Sequence, residues 1–86
     1  GGELPSLCLA DNELTQLPAS VFELPHLQVL DLSGNALREI PEAVVNLSSL
    51  KVLDVTGNPI EGIPKSVAQR FYGLVEVRWD GTNPAS

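Results

Sequence analysis

A chain of 86 residues, 43% apolar and 19% charged, has room for one small folded domain with a modest core. Its formal charge of −6 opposes a phosphate backbone or an anionic bilayer surface, so neither nucleic acid nor membrane is an expected partner. A single cysteine, Cys8, and a single histidine, His26, supply neither a disulfide nor a metal-ligand set, and no metal or cofactor is expected.

The chain is written three times over with a 23-residue period: Asn12, Asn35 and Asn58 keep that spacing, as do Pro18, Pro41 and Pro64. The first unit (about 4–26) opens on Leu7-Cys8-Leu9, whose alternation predicts a short strand with one buried face. Ala10-Asp11-Asn12 then gives a turn signal, Leu17-Pro18 fixes a bend, and Ala19 to Leu24 leaves room for one turn of helix or a 3₁₀ segment. The second unit (27–49) repeats this with Leu30-Asp31-Leu32, Ser33-Gly34-Asn35, Ile40-Pro41 and Glu42 to Leu47. The third (50–73) does so with Leu53-Asp54-Val55, Thr56-Gly57-Asn58, Ile63-Pro64 and Lys65 to Phe71. Asparagine tolerates left-handed backbone, and its amide both donates and accepts, so a stacked column of these amides can satisfy turn backbone that would otherwise be buried unpaired.

The fourth unit (74–86) is out of step: Leu74, Val77 and Trp79 fall one residue late, which implies an insertion between Val67 and Phe71. The expected asparagine lands on Thr82, with Asn83 one place beyond. Phe71, Tyr72 and Trp79 crowd there, and broad side chains suit a degenerate capping repeat.

The strings LPSLCLADNELTQLP, LQVLDLSGNALREIP and LKVLDVTGNPIEGIP resemble the leucine-rich repeat family, pattern LxxLxLxxNxLxxLP, over residues 4 to 79. The resemblance implies an α/β solenoid with a curved parallel β-sheet on the concave side and short helical or 3₁₀ returns on the convex side. It also implies protein recognition as the role and no enzymatic activity. The LPxxV form is most similar to the short repeats of intracellular scaffold and Ras-pathway proteins. With no disulfide framework in so small a chain, the cytoplasm is the expected setting, although Asn46-Leu47-Ser48 reads as a sequon.

In such a repeat the residues flanking the strand leucines face outward on the concave side, in three columns. These are Ser6, Val29, Val52 and Glu76; Cys8, Asp31, Asp54 and Arg78; and Ala10, Ser33, Thr56 and Asp80. The expected partner surface comprises Val29, Asp31, Ser33, Val52, Asp54, Thr56, Glu76, Arg78 and Asp80. Asp31 and Asp54 on adjacent strands resemble the spacing of a glycosidase carboxylate pair, but no acid-base partner accompanies them. They read as an acidic strip, with Arg78 placed to pair with Asp54 and with Val29 and Val52 as an apolar step beside it. A protein or peptide of basic and hydrophobic character is the expected ligand. Cys8 has no cation beside it to activate it and reads as inert, and His26 reads as a solvated loop residue. The first repeat has no predecessor, so its strand edge is open to self-association, and the chain is expected to be a fragment of a longer solenoid. The alternative is a non-catalytic segment of a larger signalling enzyme such as a kinase, phosphatase, cyclase or ubiquitin ligase.

Overall fold

A computed structural model describes residues 5–80. Thr82 and Asn83, and with them the tail of the expected capping repeat, lie outside the described residues.

Four three-residue strands, β1 (Ser6–Cys8), β2 (Val29–Asp31), β3 (Val52–Asp54) and β4 (Glu76–Arg78), form one parallel sheet in chain order. Each strand follows its predecessor by one turn of the coil, so the period becomes the register. Leu7 lies beside Leu30, Leu30 beside Leu53, and Leu53 beside Val77. Leu30 and Leu53 are fully buried in a core that also takes in Leu32, Val55, Leu37, Ile40 and Val44. This is the shared apolar spine on which a stack of units too small to fold singly depends. At the first coil the spine is half-buried: Leu7, Leu9 and Leu17 pack against the core with no coil before them among the described residues.

The return legs begin at equivalent positions, each immediately after its proline: 3₁₀ segments Ala19–Glu23 and Glu42–Asn46, then helix α1 (Lys65–Phe71). The prolines suit this place, since the N–H they lack has no partner at a helix start. The inserted residue of the last coil shows here. Seven α-helical residues rise about 10.5 Å and five 3₁₀ residues about 10 Å, so changing the winding takes up extra chain within a leg of the same length. The register confirms the insertion, because β4 follows β3 with Val52 beside Glu76. Phe71 consequently takes the place of Leu47, and both are buried. Its carbonyl accepts from Leu74 N–H at 2.9 Å as that of Leu47 does from Leu50 N–H at 3.1 Å.

The three aromatics that crowd the fourth unit differ in burial. Phe71 is buried and Trp79 packs against the core, but Tyr72 is 89% and Leu74 69% exposed. Leu74 occupies the position at which Leu27 and Leu50 are buried by the coil that follows them, and no described coil follows Leu74.

The asparagine column forms, and it works through the amides. The left-handed residue is the one before each asparagine: Asp11 (φ 59°), Gly34 (φ 69°) and Gly57 (φ 70°). The asparagines keep negative φ and act through their side chains. Asn35 Nδ2 donates to Leu9 O (2.9 Å) of the preceding coil and to Leu32 O (3.0 Å) of its own, while its Oδ1 accepts from Asn12 N–H and Leu14 N–H, both at 3.0 Å. Asn58 repeats this with Leu32 O (2.8 Å), Val55 O (3.1 Å) and Leu37 N–H (3.0 Å). Asn12 sits in the exposed first coil, and its Nδ2 reaches only Ala10 O, at 3.1 Å.

The left-handed turn makes Gly57 a sensitive position. A Cβ there would meet Gly34 N at 3.1 Å and Gly34 Cα at 3.3 Å, backbone atoms that cannot swing aside. Gly57→Ala is expected to cost about 1–2 kcal/mol from the left-handed conformation alone, and more from the contact. It should appear as a lower urea midpoint with an unchanged slope.

Candidate functional site

The outward columns arise as the period requires. Ser6, Val29, Val52 and Glu76 are register partners, and so are Cys8, Asp31, Asp54 and Arg78. The third column follows from the turn hydrogen bonds, Asp11 N–H to Ser33 O and Gly34 N–H to Thr56 O, both at 2.9 Å. Val29, Asp31, Ser33, Val52, Asp54 and Thr56 are half-buried; Glu76, Arg78 and Asp80 are exposed. The nine expected surface residues therefore share one face.

The aspartates do more than line it. Asp31 Oδ1 accepts from Ser33 N–H (3.0 Å) and Ser33 Oγ (2.7 Å), and Asp54 Oδ1 does the same with Thr56 N–H (3.0 Å) and Thr56 Oγ1 (2.7 Å). Each carboxylate closes the turn after its own strand, which is why Asp recurs in the LDLS and LDVT strings. In the last coil Asp80 Oδ2 accepts from Gly57 N–H at 2.9 Å, so a side chain replaces the carbonyl used one coil earlier.

The pairing expected between Arg78 and Asp54 is not made. Arg78 Nε pairs with Glu76 on the same strand and face. Glu76 is the main cause of the raised pKa of Arg78, with Asp54 and Asp31 lesser contributors. Asp54 has one oxygen committed to Thr56, and Glu76 reaches the guanidinium from two residues away. Both partners of the pair are more than half exposed, so it adds little to stability.

The carboxyl pKa of Asp31 lies below its ordinary 3.8, chiefly because the Ser33 hydroxyl and then the Ser33 N–H donate to the ionised form, with the Cys8 thiol (3.7 Å to Oδ2) and Arg78 assisting against some burial. A depressed folded-state pKa gives stability that is complete above the unfolded value and is lost as pH falls through the folded one. The urea midpoint should therefore fall between pH 5 and pH 3, and Asp31→Asn should fall less over the same interval.

The two carboxylates are each engaged with their own turn, and among the described residues no group of His, Cys, Asp and Glu could hold a metal. The larger hollow, about 660 Å³, lies elsewhere, lined by Thr15, Gln16, Leu17, Phe22, Arg38 and Glu39 between the first two coils. The concave sheet is thus an open surface of apolar, hydroxyl and carboxylate groups, able to bind by contact. Cys8 and His26 are exposed, and Trp79 is half-buried with an indole N–H that lacks an acceptor among the described residues. The turn roles of Ser33 and Thr56 were missed from sequence, although the recurrence of a hydroxyl two residues after each Asp was the available signal.

The family model described as leucine rich repeat matches residues 3–60. No curated protein matches the chain significantly.

Proposed function

Because the chain belongs to the leucine-rich repeat family, whose repeats generally serve as protein-interaction modules, we propose that its concave sheet binds a peptide segment of basic and hydrophobic character. The supporting observation is the adjacency of two columns: half-exposed Val29 and Val52 lie beside Asp31 and Asp54 on neighbouring strands of one face. Each aspartate commits Oδ1 to its turn, which leaves Asp54 Oδ2 to meet a cation and Asp31 Oδ2 with only the weak Cys8 thiol donor, while the valines offer an apolar step to the neighbouring side chain. The exposed free thiol of Cys8 fits a reducing, cytoplasmic setting.

A displayed peptide library selected on the protein tests this reading. Winning peptides should interleave Lys or Arg with apolar residues. Val52→Glu should weaken them about tenfold or more by putting a desolvated charge into the contact. Asp54→Asn, which keeps the Oδ1 acceptor for Thr56, should weaken them less and reduce their salt dependence. Binders that ignore both substitutions would place recognition on another surface.

A further inference from the structure

We propose that the hollow between the first two coils captures the C-terminus of a partner protein, taking an apolar last residue and its free carboxylate together. This does not rest on the concave reading, because none of the residues lining the hollow belongs to a strand. A turn of unusual shape leads into it. In the second and third coils the residue after the column asparagine is Ala36 or Pro59, and neither has positive φ. In the first coil it is Glu13, left-handed at φ 56°, a conformation that costs a non-glycine residue free energy. Asn35 Oδ1 accepts from Asn12 N–H and Leu14 N–H on either side of it. The chain then runs into Thr15, Gln16 and Leu17, which form one wall of the hollow, while Arg38, Glu39 and Pro41 of the second coil form the other.

The lining decides the occupant. At about 660 Å³ the hollow is of ligand size, and half-buried Leu17, Phe22 and Pro41 give it an apolar surface. Arg38 supplies the charge. The one ion pair among the described residues joins Arg78 to Glu76, so Arg38 lines the hollow with its guanidinium free to fork onto a carboxylate. That cation breaks the period, since Thr15 and Glu61 hold its place in the coils before and after. Thr15 and Gln16, exposed on the opposite wall, add a hydroxyl and an amide donor. Glu39 sets the limit on charge: beside it Arg38 can accept a single negative charge, while a dianion such as a phosphate group is repelled. An apolar C-terminal residue meets both demands, because its carboxylate and its side chain branch from one Cα and enter the same hollow together.

Three short peptides test this by NMR titration of the nitrogen-labelled chain: acetyl-leucyl-phenylalanine as the free acid, its amide, and the amide of acetyl-aspartyl-phenylalanine. The free acid should bind about tenfold or more tightly than either amide, with the shifted resonances gathered at residues 15–17, 22 and 36–39. Arg38→Gln should bring the acid down to the level of its amide. Glu39→Gln should act in the opposite sense and strengthen the acid, because it removes the like charge. Both positions are exposed, so unchanged resonances elsewhere will show that the fold is kept. Equal binding of the acid and its neutral amide would overturn the proposal, and so would an internal aspartate that serves as well as the terminal carboxylate. Shifts gathered on Val29–Asp31 and Val52–Asp54 instead, or no binding at millimolar peptide, would overturn it too.

Discussion

Asn58→Ala is expected to lower the unfolding free energy by about 2–6 kcal/mol, because it leaves two buried main-chain groups without partners, each costing about 1–3 kcal/mol. Those groups are Leu37 N–H, which donates to Asn58 Oδ1, and Val55 O, which accepts from Nδ2. Leu32 O is spared, since Asn35 Nδ2 also donates to it at 3.0 Å. A domain of this size has roughly 4–13 kcal/mol of total stability, so the loss is a large share of it and at the lower end abolishes folding. The matched control is Asn12→Ala, which removes one hydrogen bond in an exposed turn and should cost less than about 0.5 kcal/mol. Urea titration of both variants checks the pair, with the slope confirming that the same surface unfolds. Equal losses at the two asparagines would mean that burial of the amide is not what the column supplies.

The asparagine column also marks where sequence reasoning reached and where it stopped. The 23-residue spacing fixes which residues become neighbours, so the leucine spine, the outward columns and the one-residue slip before β4 could all be read by counting. Counting cannot say which atom of a turn residue matters. Asparagine is suited both to left-handed backbone and to side-chain hydrogen bonding, and here only the second property is used. The backbone task falls to Asp11, Gly34 and Gly57, a column whose two glycines were in plain view. Arg78 failed differently. Register put it beside Asp54, but a long flexible side chain selects among all acceptors in reach, and Glu76 shares its strand face. Composition likewise could not say which apolar residues of the fourth unit are covered: Phe71 is buried, while Tyr72 and Leu74 are exposed. The concave surface was legible as a set of positions, while the use of Asp31 and Asp54 to close their turns was not, since it depends on side-chain directions that a column leaves open.

Leu30→Ala should be about as damaging as loss of the buried asparagine, by a different route. Leu30 has no exposed surface and stands between Leu7 and Leu53. Truncation removes the transfer free energy of three carbons and opens a cavity that rigid strands on both sides cannot fill, a combined cost of about 2–5 kcal/mol. With about 4–8 °C of melting temperature lost per kcal/mol in a domain this small, the transition should move down by roughly 8–40 °C. The same substitution at Leu7, which is half-buried and among the described residues has a strand neighbour on one side, should cost about 1–2 kcal/mol. The ratio between the two carries the argument. In a linear stack each coil is held by its neighbours, so an interior leucine supports two junctions and a terminal one supports a single junction. If Leu7→Ala proved as costly as Leu30→Ala, the stability would not reside in a spine shared from coil to coil. The outward columns would then lose the framework that holds them in register.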